Sequence, residues 1–125
     1  MNDIDREEHR LAALAAGYWP RHNHYHVDEE DDFIGIEVKK EEGKRWEKWI
    51  PKTNKADSFD LMVDCNIIGG FSKIEQKAMA VHPYSWVECE AGGHDAAADD
   101  LMQAIFNCAA AVGRSMEEIN EQAAD

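Results

Sequence analysis

Apolar positions along this chain fall into two rhythms, one with helical spacing and one that alternates. Ile4, Leu11, Leu14 and Tyr18 lie near one stripe of a helix over residues 3–16. Asp3 or Asp5 can cap its start, Gly17 closes its last turn, and Pro20 prevents its resumption. From Phe33 the period becomes two, with Ile34, Ile36 and Val38 on one face, which predicts a strand. Glu41-Glu42-Gly43-Lys44 is a turn, and Arg45 to Ile50 returns, so residues 33–50 read as a hairpin. Pro51 ends it, because proline cannot donate to a ladder. Thr53 or Asn54 then caps a helix over 54–66, with Phe59, Met62 and Val63 expected to face inward.

A second hairpin is expected over 71–90, turning at Pro83-Tyr84-Ser85. Gly92-Gly93 breaks the chain, and Asp95 is placed to cap a helix over 95–112. Its stripe of Leu101, Ile105, Cys108 and Val112 has helical spacing. Ser115 with Glu118 is a capping-box signature for a short last helix, 115–122. Arg21 to Asp32 lacks an apolar rhythm and reads as a loop or frayed edge strand.

The order α-β-β-α-β-β-α, with hairpin connections, predicts a single α+β domain over 1–125. Its antiparallel sheet of about four strands would be covered by helices. The 125 residues suit one core, drawn from Phe33, Ile36 or Ile34, Trp49, Leu61, Leu101, Ile105 and Val112. No apolar run approaches the ~18 residues of a membrane helix, and the acidic first residues lack a secretory core. A cytoplasmic protein with no membrane partner is expected. Cys65, Cys89 and Cys108 are odd in number and lack C-x-x-C spacing. They are expected to be reduced, small apolar residues rather than disulfide or zinc ligands.

Charge changes the picture most. Twenty-six acidic residues against 13 basic ones give −13, with a pI near 4.7. Such a chain repels nucleic acid on average and favours cationic partners. The distribution is polar: seven of the 13 positive charges lie between Lys39 and Lys55, and Asp28-Glu29-Glu30-Asp31-Asp32 is a run of five negatives.

Catalytic constellations are sparse. His22-x-His24-x-His26 is the one metal-like pattern, since alternate strand residues share a face and Asp28 could complete a site. It supports an alternative reading as a small metal-dependent enzyme or metal sensor; otherwise these are solvated histidines. Cys89 lies between His82 and His94, but flanking Glu88 and Glu90 disfavour a thiolate. Gly69-Gly70 and Gly92-Gly93 lack phosphate-loop spacing and read as turns. Asp99 and Asp100 are adjacent, so they point to different helix faces. Of the closely spaced tryptophans, Trp46 and Trp49 are expected on opposite sides of a strand, one in the core and one partly exposed.

Two segments carry a resemblance: Trp49-x-Pro51-x-Thr53-x-x-x-Asp57-x-x-x-Leu61, and the Ala-rich run from Asp95 ending in Gly113-Arg114-Ser115-Met116. Together they resemble small proteins of tailed bacteriophages and prophages, over about Arg10 to Met116. Ile50 stands where that pattern usually has Asn, and the His-rich and acidic insert is not part of it. The resemblance implies a helix–sheet–helix sandwich in a host bacterial cytosol. With the charge, it leads to the expectation of a non-enzymatic accessory protein, of anti-CRISPR or anti-restriction type, without a cofactor. It would bind a host complex with a basic surface, without direct nucleic-acid contact, through Asp28, Glu29, Glu30, Asp31, Asp32, Asp95, Asp99, Asp100 and Trp46. A third reading is an assembly protein that forms a homodimer or larger oligomer through exposed Trp and Met residues.

Overall fold

The computed structural model describes residues 3–124, apart from the side chains of His22 and of residues 121–124. The chain runs α1 (Asp3–Ala15), β1 (Trp19–Val27), β2 (Phe33–Lys39), β3 (Glu47–Trp49), α2 (Lys55–Asp64), β4 (Ile68–Ser72), β5 (Lys77–His82), β6 (Val87–Gly92) and α3 (Ala97–Ala124). The fold is α+β and antiparallel, as expected. The single four-stranded sheet is replaced by two three-stranded sheets, β1-β2-β3 (sheet A) and β4-β5-β6 (sheet B). α1 packs on β1 and β2, α3 packs on all of sheet B, and the two helices pack on each other. The sequence of layers is therefore sheet A, α1, α3, sheet B, rather than helix–sheet–helix.

Of the two readings of Arg21 to Asp32, the edge strand holds: most of it is β1, at the edge of sheet A, and its apolar rhythm is missing because none of residues 21 and 23–27 is buried. Its pairing with β2 is irregular between Pro20 and Tyr25, around Asn23 at φ 61°. A second difference is in the 71–90 region, where separate strands β4 and β5 precede β6.

Local signals hold well at the helix ends. After α1, Gly17 (φ 81°) lets the Tyr18 amide reach back to the Ala13 carbonyl at 2.9 Å. Asn54 caps α2, its side chain accepting from the Asp57 amide at 2.9 Å. The inward face of α2 is Ser58, Leu61 and Cys65, however, so Phe59 and Val63 are exposed. Ile4 is likewise exposed, while His9, Leu11, Ala12 and Ala13 form the buried side of α1.

The third difference is α3, one continuous helix of 28 residues where 95–112 and 115–122 were expected as two. Gly113 does not end it. A Cβ there would lie 1.9 Å from the Leu11 carbonyl oxygen, so the glycine marks where the α1 backbone crosses α3. Asp95 precedes the helix rather than capping it; the amides of Asp99 and Asp100 turn back to the Ala96 carbonyl.

The core centres on Trp49, fully enclosed, with Leu11, Val38, Leu61, Phe106 and Cys108 around it or beside it in one cluster. Ile36, Ile105 and Val112 are buried as expected, while Phe33 and Leu101 only line the margin. The segment from Trp49 to Leu61 is spent on this scaffold. Trp49, Pro51 and Leu61 are buried, and Asp57 ties strand to helix by accepting the Ile50 amide at 3.0 Å. Burial raises the Asp57 pKa, the Ile50 bond opposing that shift.

Candidate partner-binding surface

The acidic run forms the turn between β1 and β2, and its first residue builds it. Asp28 Oδ1 accepts the Glu30 amide at 2.9 Å and the Asp32 amide at 3.0 Å, while the Asp28 amide donates to the Asp32 carbonyl. Asp31 takes a left-handed conformation (φ 63°), which Asp tolerates better than most residues. This Asx-type network leaves Glu29, Glu30, Asp31 and Asp32 exposed on an ordered hairpin tip. No ion pair joins these four to a cation among the described residues.

The other half of the expected acidic patch is only partly present. Asp95 and Asp99 are exposed at the entry to α3, but Asp100 is 3% exposed and does not belong to the surface. Its Oδ1 accepts both the His94 Nδ1–H (2.6 Å) and the His94 amide (3.1 Å), clamping the loop after β6 onto α3. The turn belongs to sheet A and the α3 entry packs behind sheet B. No hydrogen bond or ion pair connects them among the described residues.

The histidines converge, though not on Asp28. Glu37 on β2 gathers Arg21 (3.3 Å to Oε1), His24 Nδ1 and His26 Nε2 (each 3.8 Å to Oε2) on the outer face of sheet A. The alternation did place His24 and His26 on one face; the side chain of His22 lies outside the described residues. Among the described residues no group of three His, Cys, Asp or Glu side chains has a metal-holding arrangement.

Trp46 is half-buried just before β3, while Trp49 is enclosed, as the opposite-face argument expects. Lys39 Nζ lies 4.9 Å and Arg21 Cζ 5.6 Å from the Trp46 ring centre. A hollow of about 300 Å³ opens beside it, lined by Trp19, Lys39, Glu42 and Trp46. Sequence spacing gave no hint of this pair, because only the register Trp19↔Lys39 brings Trp19 to that corner.

The cysteines offer no nucleophile. All three are free thiols, and burial pushes Cys65 up to about 11 and Cys108 up to about 12, with Cys89 raised for the same reason. His82 hydrogen-bonds Ser85 Oγ at 2.6 Å, and neither it nor His94 bonds Cys89 among the described residues.

The group missed by pattern reading is His9. It is buried among Phe33, Trp49 and Phe106. Its Nδ1–H donates to the Asp5 carbonyl at 2.7 Å. That fixes the tautomer and leaves Nε2, like Trp49 Nε1, buried without a partner among the described residues. Burial pushes the His9 pKa down to about 4, the Asp5 carbonyl opposing. A lone His in an acidic helix carries no pattern that reveals burial.

Compared with protein-family models, curated proteins and solved structures, the chain matches none. No helix among the described residues is long and apolar enough to cross a membrane.

Proposed function

We propose that this protein acts by binding rather than by catalysis, as an acid-faced antagonist of a host nucleic-acid machine in the phage setting its sequence resembles. The observation that supports this reading is the ordered acidic turn. An acidic loop without structure must be ordered on docking, at a cost of about 1–2 kcal/mol per residue. The Asp28 network holds the tip before any partner arrives. Four carboxylates carried on a hairpin tip with a held backbone, in a chain of −13, can compete with phosphates for a basic groove.

The test is a host-lysate capture with a salt gradient, followed by affinity measurement on the captured complex. Asp28→Asn keeps an acceptor oxygen for the turn, so it joins Glu29→Gln, Glu30→Gln, Asp31→Asn and Asp32→Asn in one variant. The expected outcome is loss of binding and of its salt dependence, with an unchanged melting curve. Equal affinity and salt slope in both proteins would sink the reading and leave the turn as a solubility device.

Self-association is the second reading, supported by the outer face of sheet B. Ile68, Met79 and Trp86 (82% exposed) lie on that sheet or its turn without cover. Sedimentation equilibrium over a concentration series tests it; a monomer throughout removes it.

A further inference from the structure

The outer face of sheet A concentrates features that the acidic turn does not use. Trp19 and Lys39 are cross-strand partners at one corner of the sheet, and Trp46 stands across from them. Lys39 and Arg21 sit over the Trp46 ring as cation–π partners. That stacking alone would account for Trp46, but not for Trp19. Trp19 is 49% exposed and makes no ring or cation contact among the described residues, and it forms the other wall of the hollow. Lys39, which lines the hollow, makes no ion pair among the described residues, while Lys44 and Arg45 line a separate hollow with Lys40, Glu41 and Glu47. Lys40, by contrast, is held between Glu47 and Asp60.

We propose that this corner is a nucleotide site. One base enters between Trp19 and Trp46, and its phosphate is taken by Lys39, the cation that lines the hollow. The volume of about 300 Å³ stands at the lower limit of small-ligand pockets, which suits one ring system rather than a larger cofactor. The hollow between the two indoles is open to a planar guest, with Trp19 as the ring that carries no cation, and base–aromatic stacking is tolerant of base identity. Glu42, the one acid lining the hollow, is an acceptor only. It can accept from the exocyclic amine of cytosine, adenine or guanine or from the ring N–H of uracil, so it orients a base without selecting one.

Whole-chain charge argued against any direct nucleic-acid contact, and the distribution reverses that argument locally. Charges farther than about 10 Å are largely screened at 0.1 M salt, so a guest the size of one nucleotide responds to the cations beside it. A duplex presents no free base and spans enough of the surface to meet the acidic turn. The guest is a free nucleotide or an unpaired nucleotide within a single strand. The proposal does not depend on the role of the acidic turn.

The experiment titrates cytidine monophosphate, uridine monophosphate and a short cytidine-only oligonucleotide into the full chain at about 0.1 M salt, following tryptophan fluorescence and calorimetry. Saturable quenching is expected. Trp46→Ala and Trp19→Ala should each weaken affinity roughly tenfold or more. Both positions have solvent-facing rings, and unchanged melting curves would show that the fold persists. Lys39→Gln should weaken binding several-fold and flatten its salt dependence, and cytidine and uridine should bind within a few-fold of each other. Tighter binding of the oligonucleotide identifies a strand as the source; equal binding per nucleotide identifies the free nucleotide. Absence of saturable quenching at millimolar ligand overturns the proposal. So does affinity unchanged in both tryptophan variants, or a corner that binds only a protein segment and no nucleotide.

Discussion

Sheets A and B have three strands each and meet a helix on one face, yet they fill that interface in opposite ways. The inner side of sheet A carries large side chains, Trp49, Ile36 and Val38, with His9 of α1 wedged among Phe33, Trp49 and Phe106. Sheet B presents Ala78 and Ala80, and Gly69 comes so near α3 that a Cβ there would meet Leu101 Cδ1 at 3.0 Å. In A the side chains of the sheet reach out to the helix; in B those of the helix, Leu101 and Ile105, reach in to the sheet. Packing density is the same demand in both places, so A should be intolerant of smaller residues and B of larger ones.

The largest expected effect is in sheet A. Trp49→Ala should cost ~3–5 kcal/mol, read by urea denaturation, because the cavity it leaves is walled by residues already committed to other contacts. A loss below ~1 kcal/mol would mean that the A interface can collapse and that the contrast with B is false.

Acid should act on the same half of the molecule. His9 is neutral when folded, with its pKa pushed down to about 4 from an unfolded value near 6.5. Between those values the unfolded chain binds the extra proton, so stability rises with pH across this window. The contribution is full above about 6.5 and is lost as pH falls toward 4, amounting to about 3 kcal/mol. Urea midpoints at a series of pH values should show this slope, and His9→Gln should flatten it between pH 5 and 6.5, where most carboxylates remain ionised. An identical slope in the variant would place the acid sensitivity elsewhere.

Sheet B gives the converse substitution. Ala80→Leu should cost ~1–3 kcal/mol by forcing α3 away, even though it adds apolar surface. A neutral or stabilising result would show slack between sheet B and α3. The smallest effect belongs to the outer face of the same sheet, where Met79→Ser should change monomer stability by less than ~0.5 kcal/mol. If Met79 is covered by a second copy, the variant should instead shift the association equilibrium measured by sedimentation.

What the sequence made legible were features set by neighbours in the chain. Gly17 after α1, the Asn54 cap, the 33–50 hairpin, and the opposite placement of Trp46 and Trp49 all follow from local geometry. What it hid depends on distant partners. Gly113 resembles a helix stop, and only the crossing of Leu11 shows why it continues. Phe59 and Val63 have the right spacing for a buried stripe, but α3 selects Ser58, Leu61 and Cys65 instead. Of the adjacent pair Asp99 and Asp100, pattern alone could not say which is enclosed; His94 decides it. The slot between Trp19 and Trp46 joins residues 27 positions apart through a strand register that a bulge had obscured.

The crossing of α1 by α3 has a consequence for how the chain is made. The buried side of α1 rests on a helix whose contact residue, Gly113, lies 102 residues after Leu11. At roughly 5–20 residues per second, the ribosome takes on the order of 5–20 s to supply it. Until then the side of α1 that meets α3 is uncovered, and sheet B has no helix to close its alanine face. The nascent chain should therefore stay open to chaperones and proteases until α3 emerges, and then fold as one unit.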